Sequence, residues 1–245
     1  MSFKVLLFLF VLLICSLSCQ SVRTQSQSRD MTKLHFPESW YESADRPLSF
    51  IQELEVRKLP NSADGEFFFA ALPYGDGDYV HEYNPDIPKP KYSVNFFAAK
   101  FTPSPRARVA TEQEWESASR VVTKSRYAFS RDGDYGDIEY GGKTFRKVGK
   151  YSGGGMVSPG GKWLAIFSYT GEKKRDWFMD GGSVHKGDVF WEVFNTATGE
   201  KVFEWQARNV KGPAEISGPV VWLEERYFLF PKDINAQDFN VVTLP

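Results

Sequence analysis

The stretch GGGMVSPGGKWLAIFSYTG, residues 153–171, holds two apolar runs separated by Pro-Gly-Gly. Proline presets the backbone angle of a turn, and glycine accepts the conformations that follow it, so the stretch reads strand, turn, strand. In the second run Trp163, Ala165, Phe167 and Tyr169 share one face, and Leu164, Ile166 and Ser168 share the other. A strand with one wet face alternates apolar and polar residues. This one is apolar on both faces, which predicts cover on both sides.

The pattern continues outward. GDVFWEVFNTATGEKVFEW, residues 187–205, gives a third strand, a Thr-Gly-Glu turn and a fourth strand. SGPVVWLEERYFLFPKD (217–233) and DFNVVTLP (238–245) then begin the same order again. The chain has 21 Phe, 11 Tyr and 7 Trp, gathered in short runs between Gly, Pro and Asp clusters, which is the composition of strands and turns. Strands are expected at 49–58, 66–72, 92–101, 126–130, 137–147, 155–158, 163–169, 188–195, 201–206, 219–223, 227–231 and 239–244. One helix is expected, near 112–122, because Thr111-Glu112-Gln113-Glu114 forms a capping box. The prolines of NPDIPKP (84–90) keep that segment in a loop or at an edge. The fold class is all-β, with antiparallel sheets.

Ser158-Pro159-Gly160-Gly161-Lys162-Trp163-Leu164-Ala165 resembles the Ser-Pro-Asp-Gly-Lys-Trp-Leu-Ala blade signature of periplasmic Tol-type and tryptophan-aspartate-like β-propellers. Thr196-Ala197-Thr198-Gly199-Glu200 resembles the turn between the outer strands of such a blade. The resemblance covers about residues 151–244 and implies four-stranded blades stacked face to face. Gly160 stands where the signature has Asp, and Asp176-Trp177 reverses the usual dipeptide. The segment 32–150, with its helix and Pro-rich loop, reads as an irregular first half of one β-rich domain spanning 32–245.

Residues 1–18 have the form of a secretory signal peptide: Lys4, an apolar run at 5–14, then small residues. Cys15 and Cys19 are the only cysteines, and Ser16-Leu17-Ser18-Cys19 resembles a bacterial lipoprotein cleavage box, which makes Cys19 a candidate lipidation site. Residues 19–31 then serve as a flexible tether. The expected address is the periplasm or cell envelope, with membrane contact only through the anchor. Loss of residues 1–19 removes Lys4 and no acid, leaving 29 basic and 31 acidic side chains. With basic residues scattered along the chain, no nucleic-acid partner is expected.

The motifs of catalysis are missing or broken. His35, His81 and His185 lack zinc-ligand spacing. GDIEYGGKT, residues 136–144, misses the phosphate-loop spacing by one residue, and no Gly-x-Ser-x-Gly occurs. What remains is acidic. DGDY occurs twice, giving Asp76, Asp78 and Glu82 in one stretch and Asp132, Asp134, Asp137 and Glu139 in the other. Asp-Gly between apolar runs is first a hairpin turn signal. As an alternative, the second cluster offers Asp132, Asp134, Asp137 and Glu139 as oxygen ligands for calcium, the one cofactor that the residues suggest. Asp134 with Asp137 or Glu139 is the carboxylate pair that glycoside cleavage would use. The leading expectation is a non-enzymatic binding or scaffolding protein with a protein or glycan partner. The alternative is a secreted hydrolase acting on glycan or peptide through the acidic cluster.

Overall fold

The computed structural model describes residues 31–43, 50–60, 65–74, 92–130, 132–170, 187–210, 219–232 and 237–245. The expected signal peptide, Cys19, the expected tether up to residue 30, the first DGDY copy, the Pro-rich segment 84–90, His81, Asp176-Trp177 and His185 lie outside them. The chain is all-β, and every strand pairing among the described residues is antiparallel. Three larger sheets form, each open at both edges.

The first sheet is built from β3 (Phe50–Lys58), β4 (Phe67–Tyr74), β6 (Phe96–Lys100), β7 (Arg106–Ala110) and β8 (Ser119–Arg120), in the order β8-β3-β4-β6-β7. The second holds β9 (Arg126–Ala128), β12 (Tyr151–Val157), β13 (Trp163–Tyr169), β14 (Gly187–Asn195) and β15 (Lys201–Val210), in the order β9-β12-β13-β14-β15. The third runs β16 (Val221–Leu223), β17 (Tyr227–Pro231), β18 (Asp238–Thr243) and then β1 (Met31–His35), so its fourth strand comes from the other end of the described chain. Two small ladders complete the set: β2 (Tyr41–Ser43) with β5 (Tyr92–Val94), and β10 (Ile138–Tyr140) with β11 (Lys143–Phe145).

Strand alternation explains how the sheets stack. Val221, Leu223, Leu229, Phe239 and Val241 share a core with Leu54, Val56, Phe69 and Phe97 of the first sheet. Their neighbours Trp222, Phe228, Phe230 and Val242 share a second core with Trp163, Ala165, Trp191 and Val193 of the second sheet. The third sheet is therefore the central layer, apolar on both faces. The predicted two-sided burial of residues 163–169 also holds, since Leu164 and Ile166 pack on the opposite side against Ile138 and Phe145 of the β10–β11 ladder.

Residues 119–128 form a strap along one edge of all three layers. β8 pairs with β3, and the Val121 N–H donates to the Val56 carbonyl at 2.8 Å. The Trp222 N–H then donates to the Thr123 carbonyl at 3.0 Å, and the Ser125 N–H to the Val157 carbonyl at 3.1 Å, before β9 pairs with β12. This strap shortens the expected helix. The capping box forms at Thr111, but α1 spans Glu112–Ser117, because Ala118 takes an extended backbone (ψ 144°) and the chain joins the first sheet. Trp115 of α1 is buried, stacked on Phe96 at 5.3 Å under the Arg57 guanidinium.

Two other expectations need correction. Residues 137–147 are a hairpin rather than one strand, since Gly141 (φ 57°) and Gly142 (φ 75°) give the paired left-handed residues of a tight turn. The expected strand 92–101 is interrupted at Asn95, whose N–H donates to the Trp40 carbonyl.

Two outcomes test this architecture. Phe228→Ala, which empties a fully buried site in the central layer, is expected to cost about 3–5 kcal/mol in urea unfolding. The second concerns Glu114, which accepts hydrogen bonds from Arg108 and from the Thr111 N–H. The Arg108 bonds, with the Thr111 amide, hold its carboxyl down at about 2 from an ordinary 4.5. Its contribution is full above the unfolded value and fades as pH falls through about 2. Stability measured between pH 5 and pH 2 should thus fall less steeply in Glu114→Gln than in the parent.

Candidate functional site

In the segment KSRYAFS, residues 124–130, alternation along β9 decides what faces water. Ala128 turns into the core with Ile138 and Leu164. Tyr127 and Phe129 turn the other way and are 50% and 64% exposed. Tyr135, at 56%, is the third exposed aromatic side chain among the described residues, so all three fall within nine residues of chain.

The neighbouring strand is shaped to fit them. β12 carries a register shift between Ser152 and Gly155, and Gly154 has φ 113°. A Cβ there would lie 2.9 Å from the Ala128 carbonyl oxygen and 3.4 Å from the Phe129 ring. A Cβ on Gly155 would lie 2.6 Å from Leu164. The glycine run, which the sequence suggests is a flexible entry, is thus fixed in the sheet by close approach. Beyond the bulge, the Tyr151 ring meets Tyr135 at 4.8 Å. The Tyr127–Phe129 pair, with ring centres 6.3 Å apart, and the Tyr135–Tyr151 pair lie on either side of the bulge and together make up an aromatic ledge beside the second DGDY. Lys124 Nζ donates to the Tyr127 hydroxyl at 2.9 Å, and Lys150 Nζ lies 5.4 Å from the centre of the Tyr151 ring.

The acidic cluster sits next to this ledge. DGDY is a 3-10 turn at Gly133–Tyr135, not a two-residue hairpin, although Gly133 takes the left-handed φ of 66° that makes glycine necessary. Asp132 precedes the turn, exposed, with its N–H donating to Ser130 Oγ at 3.0 Å. The Asp137 carboxylate accepts from the Lys147 N–H at 3.4 Å. Glu139 lies in β10 opposite Thr144, its N–H on the Phe129 carbonyl. The side chain of Asp134 lies outside the described residues, and with it half of the carboxylate pair. Lys147 Nζ donates to the carbonyls of Tyr135 (2.7 Å) and Gly136 (2.6 Å). These are oxygens of the kind calcium would take, and here a tethered ammonium binds them. Burial lowers the pKa of Lys147, with Asp137 and Glu192 opposing. Among the described residues, no three His, Cys, Asp or Glu side chains gather as metal ligands. His35 Nδ1 lies at hydrogen-bond distance, 2.7 Å, from the Asp238 carboxylate at the surface.

Two carboxylates that the sequence reading passed over hold the scaffold behind the ledge. Glu225, in the turn between β16 and β17, accepts from Ser158 Oγ at 2.7 Å and from the Gly160 N–H at 2.5 Å. Ser158 Oγ in turn accepts the Trp163 N–H, and the Trp163 indole donates to the Glu225 carbonyl. The second is Glu192, fully buried in β14, which accepts from the Val148 N–H at 2.8 Å and from Lys201 Nζ at 3.0 Å. Burial pushes its carboxyl up, although these bonds oppose the shift. The Val148 bond ties the end of the β10–β11 segment to the second sheet. No family model, curated protein or solved structure matches the chain.

Glu225 crowds position 160. A Cβ there would lie 2.9 Å from Glu225 Oε1, and an aspartate would bring a second carboxylate against the first. Gly160→Asp, which sets a second carboxylate beside Glu225, is therefore expected to lower stability by about 0.5–1 kcal/mol in urea unfolding. Adding Glu225→Gln should recover part of that loss, since it removes the like charge.

Proposed function

We propose that the protein is an exported, envelope-associated binding module that catalyses no reaction, and that its ligand meets the ledge of Tyr127, Phe129, Tyr135 and Tyr151. The observation carrying this reading is the concentration of all three exposed aromatics of the described residues within positions 127–135. Exposed aromatic rings give up little conformational entropy when covered and bury large areas, which makes them anchors of recognition. The export part rests on the form of residues 1–18 and on Cys19 as the anchor.

The same reading treats the sheets as propeller-like blades. β12 to β15 follow one another in sheet order, with the SPGGKW turn between the first two and the TATGE turn between the last two. β1 completes the sheet of β16 to β18, as an early strand does when a ring of blades is fastened.

Isothermal titration against a panel of soluble oligosaccharides and short peptides checks the site. At least one of them should bind the full chain and lose about tenfold in affinity in Tyr127→Ala/Phe129→Ala, with the melting temperature unchanged. A ligand that holds both proteins equally well overturns the ledge. Turnover of a panel member overturns the non-catalytic reading. Mass spectrometry of the mature protein should find a lipidated Cys19 at its N-terminus, and another N-terminus removes the anchor.

A further inference from the structure

Residues 31–43 dock on the body as one piece. β1 pairs with β18 from Met31↔Val242 to His35↔Asp238, and β2 pairs with β5 from Tyr41↔Val94 to Ser43↔Tyr92. Between these ladders the Phe36 N–H donates to the Gln237 carbonyl at 3.0 Å, and the Trp40 carbonyl accepts from the Asn95 N–H at 2.8 Å. None of these partners is close in sequence: the nearest, Tyr92, comes after β3 and β4. Neither β1 nor β2 pairs with β3, the strand that follows them.

The side chains repeat this pattern. Leu34, Phe36 and Trp40 are at most 2% exposed. The Phe36 ring meets Phe69 and Phe97 of the first sheet at 5.6 and 5.3 Å and Phe239 of the central layer at 5.7 Å, and Trp40 meets Phe97 at 4.6 Å. The segment is a plug between two layers, and positions 44–49 link it to β3. If it lifts away, it uncovers the edge of β18 together with an apolar gap beside Phe97 and Phe239. That combination accepts a strand with large apolar groups at the places of Leu34, Phe36 and Trp40.

We propose that residues 31–43 are an exchangeable arm, and that the cleft they fill is the docking surface for the same arm of a second copy of this chain. The second copy brings the one strand whose fit to the cleft is already displayed. Exchange rebuilds the same pairings and the same buried contacts between two bodies, so it costs little beyond the link. At up to about 3.5 Å per residue the link spans on the order of 20 Å, enough for an arm to pass to a body lying against its own. Each copy gives one arm and receives one, which closes the assembly as a two-fold pair.

Cysteine cross-linking between two populations tests the exchange. The whole chain carries Cys15→Ser and Cys19→Ser, with His35→Cys in one population and Asp238→Cys in the other. Both positions are partly exposed, and paired strands place their Cα atoms within disulfide reach. The two cysteines meet only where β1 of one copy lies on β18 of the other. After mixing and oxidation, the cross-linked heterodimer should exceed by about tenfold that from His35→Cys with Arg120→Cys, which lies on the opposite edge of the stack, and it should rise with concentration toward about 1 mM, the effective concentration of a short link. A heterodimer no more abundant than this control overturns the proposal. The second measurement locks the arm at home: His35→Cys/Asp238→Cys in one chain, oxidised when dilute, should stay monomeric on size exclusion at concentrations where the reduced protein forms dimers. A locked chain that dimerises as well as the reduced one, or a reduced chain that stays monomeric throughout, also overturns it. A thermal transition matching the parent's shows that each variant is folded.

Discussion

The fold depends on one layer that has no wet face. The sheet of β16, β17, β18 and β1 places Val221, Leu223, Leu229 and Val241 on one side and Trp222, Phe228, Phe230 and Val242 on the other. Alone it would expose both, so it is stable only when the first and second sheets close on it together. Its register is strongly fixed, because a one-residue slip of a strand would exchange the two faces and put Trp222 into a space shaped for Val221 and Leu223. The outer strand tightens this further. β1 pairs Leu34 with Phe239 and Met31 with Val242, so strands from opposite ends of the described chain must meet before the layer is whole. Such pairing closes a long loop, and contacts of that range form more slowly as a rule than those of local hairpins.

The aromatic ledge follows from that arrangement. With the three layers stacked, one edge of each is aligned, and unpaired edge groups need partners. Residues 119–128 supply them in turn, to Val56, Trp222 and Val157. A segment committed to edges cannot also bury both of its faces. β9 therefore turns only Ala128 inward, and Tyr127 and Phe129 are left outside as a consequence of the path of the chain. Gly154 and Gly155 let β9 lie this close. The opposite edge of the second sheet is managed differently: β15 carries Lys201, Glu204 and Arg208 and an irregular register, with Asn209 at φ 56°. Charges and bulges discourage pairing there.

Much of the sheet framework was legible because it is driven by apolar alternation. The bounds of 163–169 and 227–231 match β13 and β17, and the Thr111 box caps α1. Legibility fails where a local signal is overridden or silent. Arg106–Ala110 forms an edge strand with mostly exposed side chains, so it shows no apolar period. The Gly141–Gly142 turn is hidden in a continuous run of strand-like residues, yet paired glycines flanked by Tyr140 and Lys143 were the available hairpin signal. The candidate site is less legible still. Alternation identifies Tyr127 and Phe129 as sharing a face, but the usual inference puts the aromatic face inside and Ala128 outside. Only the strap, a product of tertiary structure, reverses it. Glu225 and Lys147 act on residues far along the chain or on backbone carbonyls, and neither interaction leaves a pattern in spacing.

The two glycine positions where this chain departs from or repeats a motif have opposite explanations. Gly133 is required by its own backbone, since the left-handed φ of 66° admits few other residues and a Cβ there would touch nothing. Gly160 does not have the left-handed φ; a Cβ there would press on the carboxylate end of Glu225 from the central sheet, 2.9 Å away, and that side chain would have to shift. An aspartate at that place would carry its own acceptor. Here the acceptor arrives from the adjacent layer, where Glu225 bonds Ser158 and the Gly160 amide while its backbone carbonyl holds Trp163. A carboxylate local to one turn can order only that turn. Supplied from the next sheet, the carboxylate ties the SPGGKW corner to the central layer.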